Sequence, residues 1–131
     1  IARDGGSLLI AGSRRTPAPV RAALRARYAQ RAALVWADDA DGANPYPGLL
    51  GWADRIVCSA DSVNMLSEAA ATRAPVFVFA PERIDGGPRR FVDSLIADSR
   101  LPVLGDALPD APVTPLRETA RIAAEIRTRL L

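Results

Sequence analysis

The chain has 131 residues, of which 49% are hydrophobic and 24% charged, a length and balance that suit one globular domain rather than a disordered segment. The net charge of +2 is too small to point to general nucleic-acid binding, and no apolar run is long enough to span a membrane. Histidine and lysine are both absent, which removes a histidine-based triad, a histidine metal site, a Walker A loop and a Schiff-base lysine. Cys58 is the single cysteine, so no internal disulfide or thiolate zinc cluster is expected; within "RIVCSA" it reads as a small buried hydrophobe. The chain begins at Ile1 without a basic-then-apolar leader, which reads as a piece of a longer cytoplasmic protein.

In chain order, "SLLIAG" (7–12) is predicted as a short buried strand, followed by a turn at "SRRTPAP" (13–19). Residues 19–30 repeat apolar side chains at Val20, Leu24 and Tyr28, a helical stripe with Arg21, Arg25 and Arg31 turned elsewhere. Pro17 and Pro19 suit the first turn of that helix, where a missing N–H costs little. A second strand is expected at 32–37, a polar Gly/Pro-rich loop at 38–48, and a short helix at 46–54 with Asn44 as its cap. A third strand at 55–59 leads into a helix at 61–73 capped by Asp61 or Ser62, with Val63, Leu66 and Ala70 inward. A fourth strand at 75–80, a loop at 81–87, and a helix at 88–99 with Phe91, Leu95 and Ile96 inward come next. Residues 101–105 suggest an edge strand and 106–115 a proline-rich connector. The final helix runs a rough stripe through Leu116, Ala120, Ala123, Arg127 and Leu130. Short all-apolar strands alternating with helices predict a single α/β domain over 1–131: a Rossmann-like parallel sheet with helices on both faces.

Ligands of such sheets bind beyond the carboxyl ends of the strands. Three loops leave those ends, at 12–17, 59–64 and 80–87. The first offers Ser13, Arg14, Arg15 and Thr16 ahead of a helix, a combination suited to phosphate and equally to an ordinary capped turn. The second offers Ser59, Asp61 and Ser62, with the backbone N–H of Val63 at the helix start. Asp61 is anionic and fits better as a cap turned aside. Glu68, six residues beyond Ser62, is either a solvated helix residue or a carboxylate for a ribose diol. Asn44 and Tyr46, with Pro81, Glu82 and Arg83, are candidates for a base or sugar pocket. No metal site and no resident cofactor are expected, and the absence of G-x-G-x-x-G after the first strand argues against a dinucleotide-dependent oxidoreductase.

The stretch "DRIVCSADSVNMLSEAAATRAPVFVF" (54–79) resembles the nucleotide-binding half of GT-B glycosyltransferases such as the peptidoglycan N-acetylglucosaminyltransferases. Ser62 stands where that pattern has a glycine, and Glu68 matches the glutamate that holds the ribose hydroxyls. "SRRTP" (13–17), "NPYPGLLGWAD" (44–54), "ADSVNMLSEAAAT" (60–72) and "RRF" (89–91) together resemble the ELM-type mitochondrial fission protein family, including bacterial members described as nucleoside-diphosphate-sugar epimerase-like. The resemblance implies the C-terminal half of a GT-B-like fold whose N-terminal domain lies outside this chain. It further implies a nucleoside diphosphate or nucleotide sugar as ligand, and metal-independent glycosyl transfer only once both halves are joined. The alternative implied by the same family is a catalytically silent interaction module, since in plants the family is tied to recruiting a dynamin-related protein to mitochondria. Peripheral membrane contact is compatible with either.

Overall fold

A computed structural model describes residues 6–31, 33–110 and 113–130. The chain divides into two compact units, Ile1–Gly51 and Trp52–Leu131. Among the described residues the architecture is mixed α/β, with two short parallel strand pairs and five α-helices.

In the first unit, β1 (Leu8–Ala11) pairs in parallel with β2 (Ala33–Trp36), Leu8 opposite Ala33 and Ala11 opposite Trp36. The ladder runs one step further, where the Gly12 N–H donates to the Trp36 carbonyl at 2.7 Å. A Cβ at Gly12 would lie 2.7 Å from the Ala37 carbonyl oxygen, so only glycine lets the two backbones close at this point. The crossover is α1 (Ala18–Tyr28), entered through Pro17 with Pro19 in its first turn. After β2, Asp38 caps a single 3₁₀ turn at Asp39–Asp41, and Gly42 leaves it with φ 100°. The Asn44 side-chain oxygen accepts from the Tyr46 N–H at 2.9 Å and starts α2 (Tyr46–Trp52), the cap expected from the sequence. Ala37 is the buried apolar residue described in this unit.

In the second unit, β3 (Ile56–Ser59) pairs in parallel with β4 (Val76–Phe79), Ile56 opposite Val76 and Ser59 opposite Phe79. Pro75 has no N–H for the ladder, but its carbonyl accepts from Ile56 at 2.9 Å, which is why a proline is tolerated at the strand start. The predicted edge strand at 101–105 is reduced to one parallel bridge, Val103 beside Val78. It is fixed by the Val78 N–H to the Pro102 carbonyl (3.0 Å) and the Leu104 N–H to the Val78 carbonyl (2.8 Å). The crossover helix α3 (Val63–Ala70) and α4 (Gly86–Ala97) complete the core, in which Leu66, Val78, Val92 and Leu101 are the largest fully buried side chains. Leu95 is buried as expected, but Val92 takes the place foreseen for Phe91 and Ile96, which are only partly covered. In α3 the buried set is Leu66, Ala69 and Ala70, while Val63 is half-buried.

The end of α4 turns through Ser99 at φ 56°. The Ser99 N–H reaches the Ile96 carbonyl and the Arg100 N–H the Leu95 carbonyl, both at 2.9 Å, a left-handed C-terminal cap built on serine where glycine is usual. The chain returns past α3, where the Leu116 N–H donates to the Ala70 carbonyl at 2.8 Å, and ends in α5 (Glu118–Leu130). No residue of α5 is buried; Ile122, Ile126 and Leu130 all face solvent. No described helix is long and apolar enough to cross a membrane.

Candidate functional site

The candidate residues fall into two groups, one in each unit. In the first unit, Ser13–Thr16 form a tight turn directly after β1. The Ser13 N–H donates to Thr16 Oγ1 (2.9 Å), the Thr16 N–H to the Ser13 carbonyl (2.9 Å) and the Arg15 N–H to Ser13 Oγ (3.2 Å). Both hydroxyls are therefore engaged in holding the turn. The start of α1 is a poorer anion site than its position suggests. Pro17 and Pro19 have no N–H, and the N–H groups of Val20 and Arg21 already bond the Pro17 carbonyl at 2.9 and 3.0 Å. Arg14 and Arg15 are exposed on this turn, so what it can give an anion is guanidinium charge rather than a cradle of amides.

An ion-pair network that the sequence reading missed lies beyond β2. Arg25 donates through Nε to Asp41 Oδ1 (2.9 Å) and through its terminal nitrogen to Asp41 Oδ2 and Asp38 Oδ1, both at 2.7 Å. Arg21 Nε lies 3.1 Å from Asp38 Oδ2. Asp41 also accepts from the N–H groups of Ala37 (2.7 Å) and Asp38 (3.2 Å). Arg25, followed by the Ala37 N–H, holds the Asp41 carboxyl well below the usual carboxylate range, and Asp41 in turn raises the Arg25 guanidinium. The signal for this network was present in the sequence as D-x-x-D after a strand, a reciprocal cap, and arginines four apart on α1. The network fastens the start of the 38–48 loop, through Asp38 and Asp41, to α1; further along, Tyr46 is half-buried at the first position of α2.

In the second unit the turn at 59–62 leads from the carboxyl end of β3 into α3. Ser59 and Asp61 are exposed, and Ser62 is 8% exposed. Ser62 occupies the N-cap position, yet its hydroxyl makes no capping bond to the helix; its carbonyl accepts from the Leu66 N–H at 3.0 Å. Val63 opens the helix. Glu68 is exposed two turns of chain later. Its carboxylate acts on Cys58, the penultimate residue of β3: burial first, and Glu68 second, push the thiol up to about 11. That side chain is therefore a protonated thiol, and so a poor nucleophile, near neutral pH.

The third loop leaves β4 through Ala80, which adopts φ 54°, ψ 50°, a left-handed conformation unusual for a residue with a Cβ. The 3₁₀ turn Pro81–Arg83 follows, with the Arg83 N–H bonded to the Ala80 carbonyl (3.1 Å) and Arg89 reaching the Pro81 carbonyl (3.5 Å). Glu82 and Arg83 are exposed and face each other at 3.8 Å, a weak surface pair. The turns at 59–62 and 80–83 start from adjacent strands of one ladder, and the Ala60 N–H donates to the Phe79 carbonyl at 3.1 Å where they diverge. This unit therefore brings Ser59, Asp61, Ser62 and Val63 to the same strand ends as Pro81, Glu82 and Arg83. The described residues contain no group of acidic, histidine or cysteine side chains able to hold a metal ion.

Comparison with known proteins gives the chain its relatives. It is 29% identical over 127 residues to uncharacterized protein RP120 of Rickettsia prowazekii, covering 92% of this chain and 36% of that protein. It is 31% identical over 129 residues to the mitochondrial fission protein ELM1 of Arabidopsis thaliana, covering 95% of this chain and 30% of that protein. The chain thus spans about a third of the length of the curated relatives it matches. No solved structure matches it significantly. The family model described as mitochondrial fission ELM1 matches residues 1–130, and the chain belongs to that family.

Proposed function

We propose that this chain is the donor-side domain of a GT-B glycosyltransferase-like protein and binds a nucleoside diphosphate or nucleotide sugar. The observation that carries the reading is the entrance to α3. The Ser62 side chain, in a residue only 8% exposed, is not used as a cap, the helix start supplies backbone N–H groups and a partial positive charge, and Glu68 follows on the same helix. In this reading Ser62 and the N–H of Val63 hold phosphate and Glu68 accepts from the two ribose hydroxyls. Ser59 and the turn Pro81–Arg83 border the sugar, with the strained Ala80 fixing that turn. Within the first unit, Arg14 and Arg15 offer guanidinium charge to an anion, a reading tested on its own by Arg14→Ala and Arg15→Ala. Transfer chemistry requires a partner domain outside this chain, so the chain by itself binds without turnover.

Membership of the fission family favours a second reading, an interaction module derived from the same fold that has no nucleotide ligand. Calorimetric titration with UDP, GDP, ADP, CDP and UDP-N-acetylglucosamine separates the two. Binding of at least one at micromolar to millimolar concentration supports the first; no heat and no thermal shift with any of them supports the second. With a binding nucleotide in hand, Glu68→Gln is expected to weaken the ribonucleotide by about 10-fold or more while leaving its 2′,3′-dideoxy analogue unchanged, the loss expected for hydrogen bonds to a charged acceptor. Equal effects on both analogues would remove Glu68 from the ribose site.

A further inference from the structure

We draw no further inference here: the strongest candidate, the apolar stripe of Ile122, Ile126 and Leu130 along the solvent-facing helix α5, is an unpartnered helix face, and nothing in the structure shows what covers it.

Discussion

The two units are built on the same motif and held by different forces. Each is a pair of parallel strands joined by a crossover helix. The second seals its ladder with Leu66, Val78, Val92, Leu95 and Leu101, so that the Val76–Val78 backbone lies in apolar surroundings. The first leaves Leu9 and Leu34, which are cross-strand neighbours, close to half exposed, and buries Ala37 alone among its described apolar residues. Its ordered side-chain contacts are polar: the Arg21–Asp38–Arg25–Asp41 network and the self-bonded Ser13–Thr16 turn, beside the close backbone approach at Gly12. Apolar burial contributes in proportion to area and is insensitive to pH, whereas charge networks depend on geometry and on ionisation. A parallel βαβ unit can thus keep one topology with a sealed apolar interior in one place and charged side chains fastening its loop in another.

The sharpest way to break the comparison is to remove the same side chain from each unit. Leu66→Ala empties a fully buried site and is expected to destabilise the second unit by about 2–5 kcal/mol. Leu34→Ala removes a side chain already 46% exposed and should cost under about 1 kcal/mol. Urea denaturation followed by site-resolved amide exchange measures both. Equal losses would mean that the Leu34 face is as well packed as the core around Leu66.

A steric test of the first unit comes next. Gly12→Ala places a methyl 2.7 Å from the Ala37 carbonyl oxygen, which neither backbone can vacate without loosening the ladder, and should cost about 1–3 kcal/mol. Gly48→Ala, where an added Cβ meets nothing within 4 Å, is its control. A Gly12 variant as stable as wild type would place the force holding β1 to β2 elsewhere.

The electrostatic half of the comparison is read by pH. The Asp41 carboxyl is lowered in the folded state, chiefly by Arg25. Its contribution to stability is therefore fully present above the ordinary aspartate range, declines as pH falls below that range, and is lost once the folded carboxyl itself is protonated. The protection of the Ala37 amide, whose N–H donates to Asp41, should fall on acidification, after correction for intrinsic exchange, before that of the Val78 amide. Arg25→Gln should flatten this difference. An Ala37 amide whose protection, corrected for intrinsic exchange, does not change between neutral and acid pH would remove the network from the account.

The smallest effect sharpens the picture of the second unit. Ser99 holds a left-handed φ of 56° where glycine fits without strain. Ser99→Gly should stabilise by about 0.5–1 kcal/mol, the relief at φ > 0 being partly offset by glycine's greater freedom in the unfolded chain. Loss of stability instead would show that the serine side chain contributes to the cap.

Much of the local backbone that carries the candidate residues was legible in the sequence because it depends on neighbours a few residues apart. The Asn44 cap on Tyr46, the Ser62 position at the start of α3 and the turn after β4 are local signals, and the structure has each of them. Less legible was how Ser13 and Thr16 use their hydroxyls. A turn that binds phosphate and a turn that binds itself have the same composition, and only coordinates show that these hydroxyls bond each other's backbone. The arginines at 21 and 25 were read as pointing away, since a helix pattern says which face is polar and not what that face meets.

By itself, then, the sequence determined the order of strands and helices, the Asn44 cap, the glycine and proline breaks, and the kind of chemistry open to the chain. Those properties follow from periodicity, from glycine and proline backbone restrictions, and from the absence of histidine and lysine. Only the tertiary structure decided that Val92 packs inward ahead of Phe91, that residues 101–105 pair at Val103 alone, and that the stripe on α5 meets water. The reason is physical. Helical spacing offers a stripe wider than any one neighbour can cover, and which of its residues is buried is fixed by the element packed against it, information that lies far away in the chain.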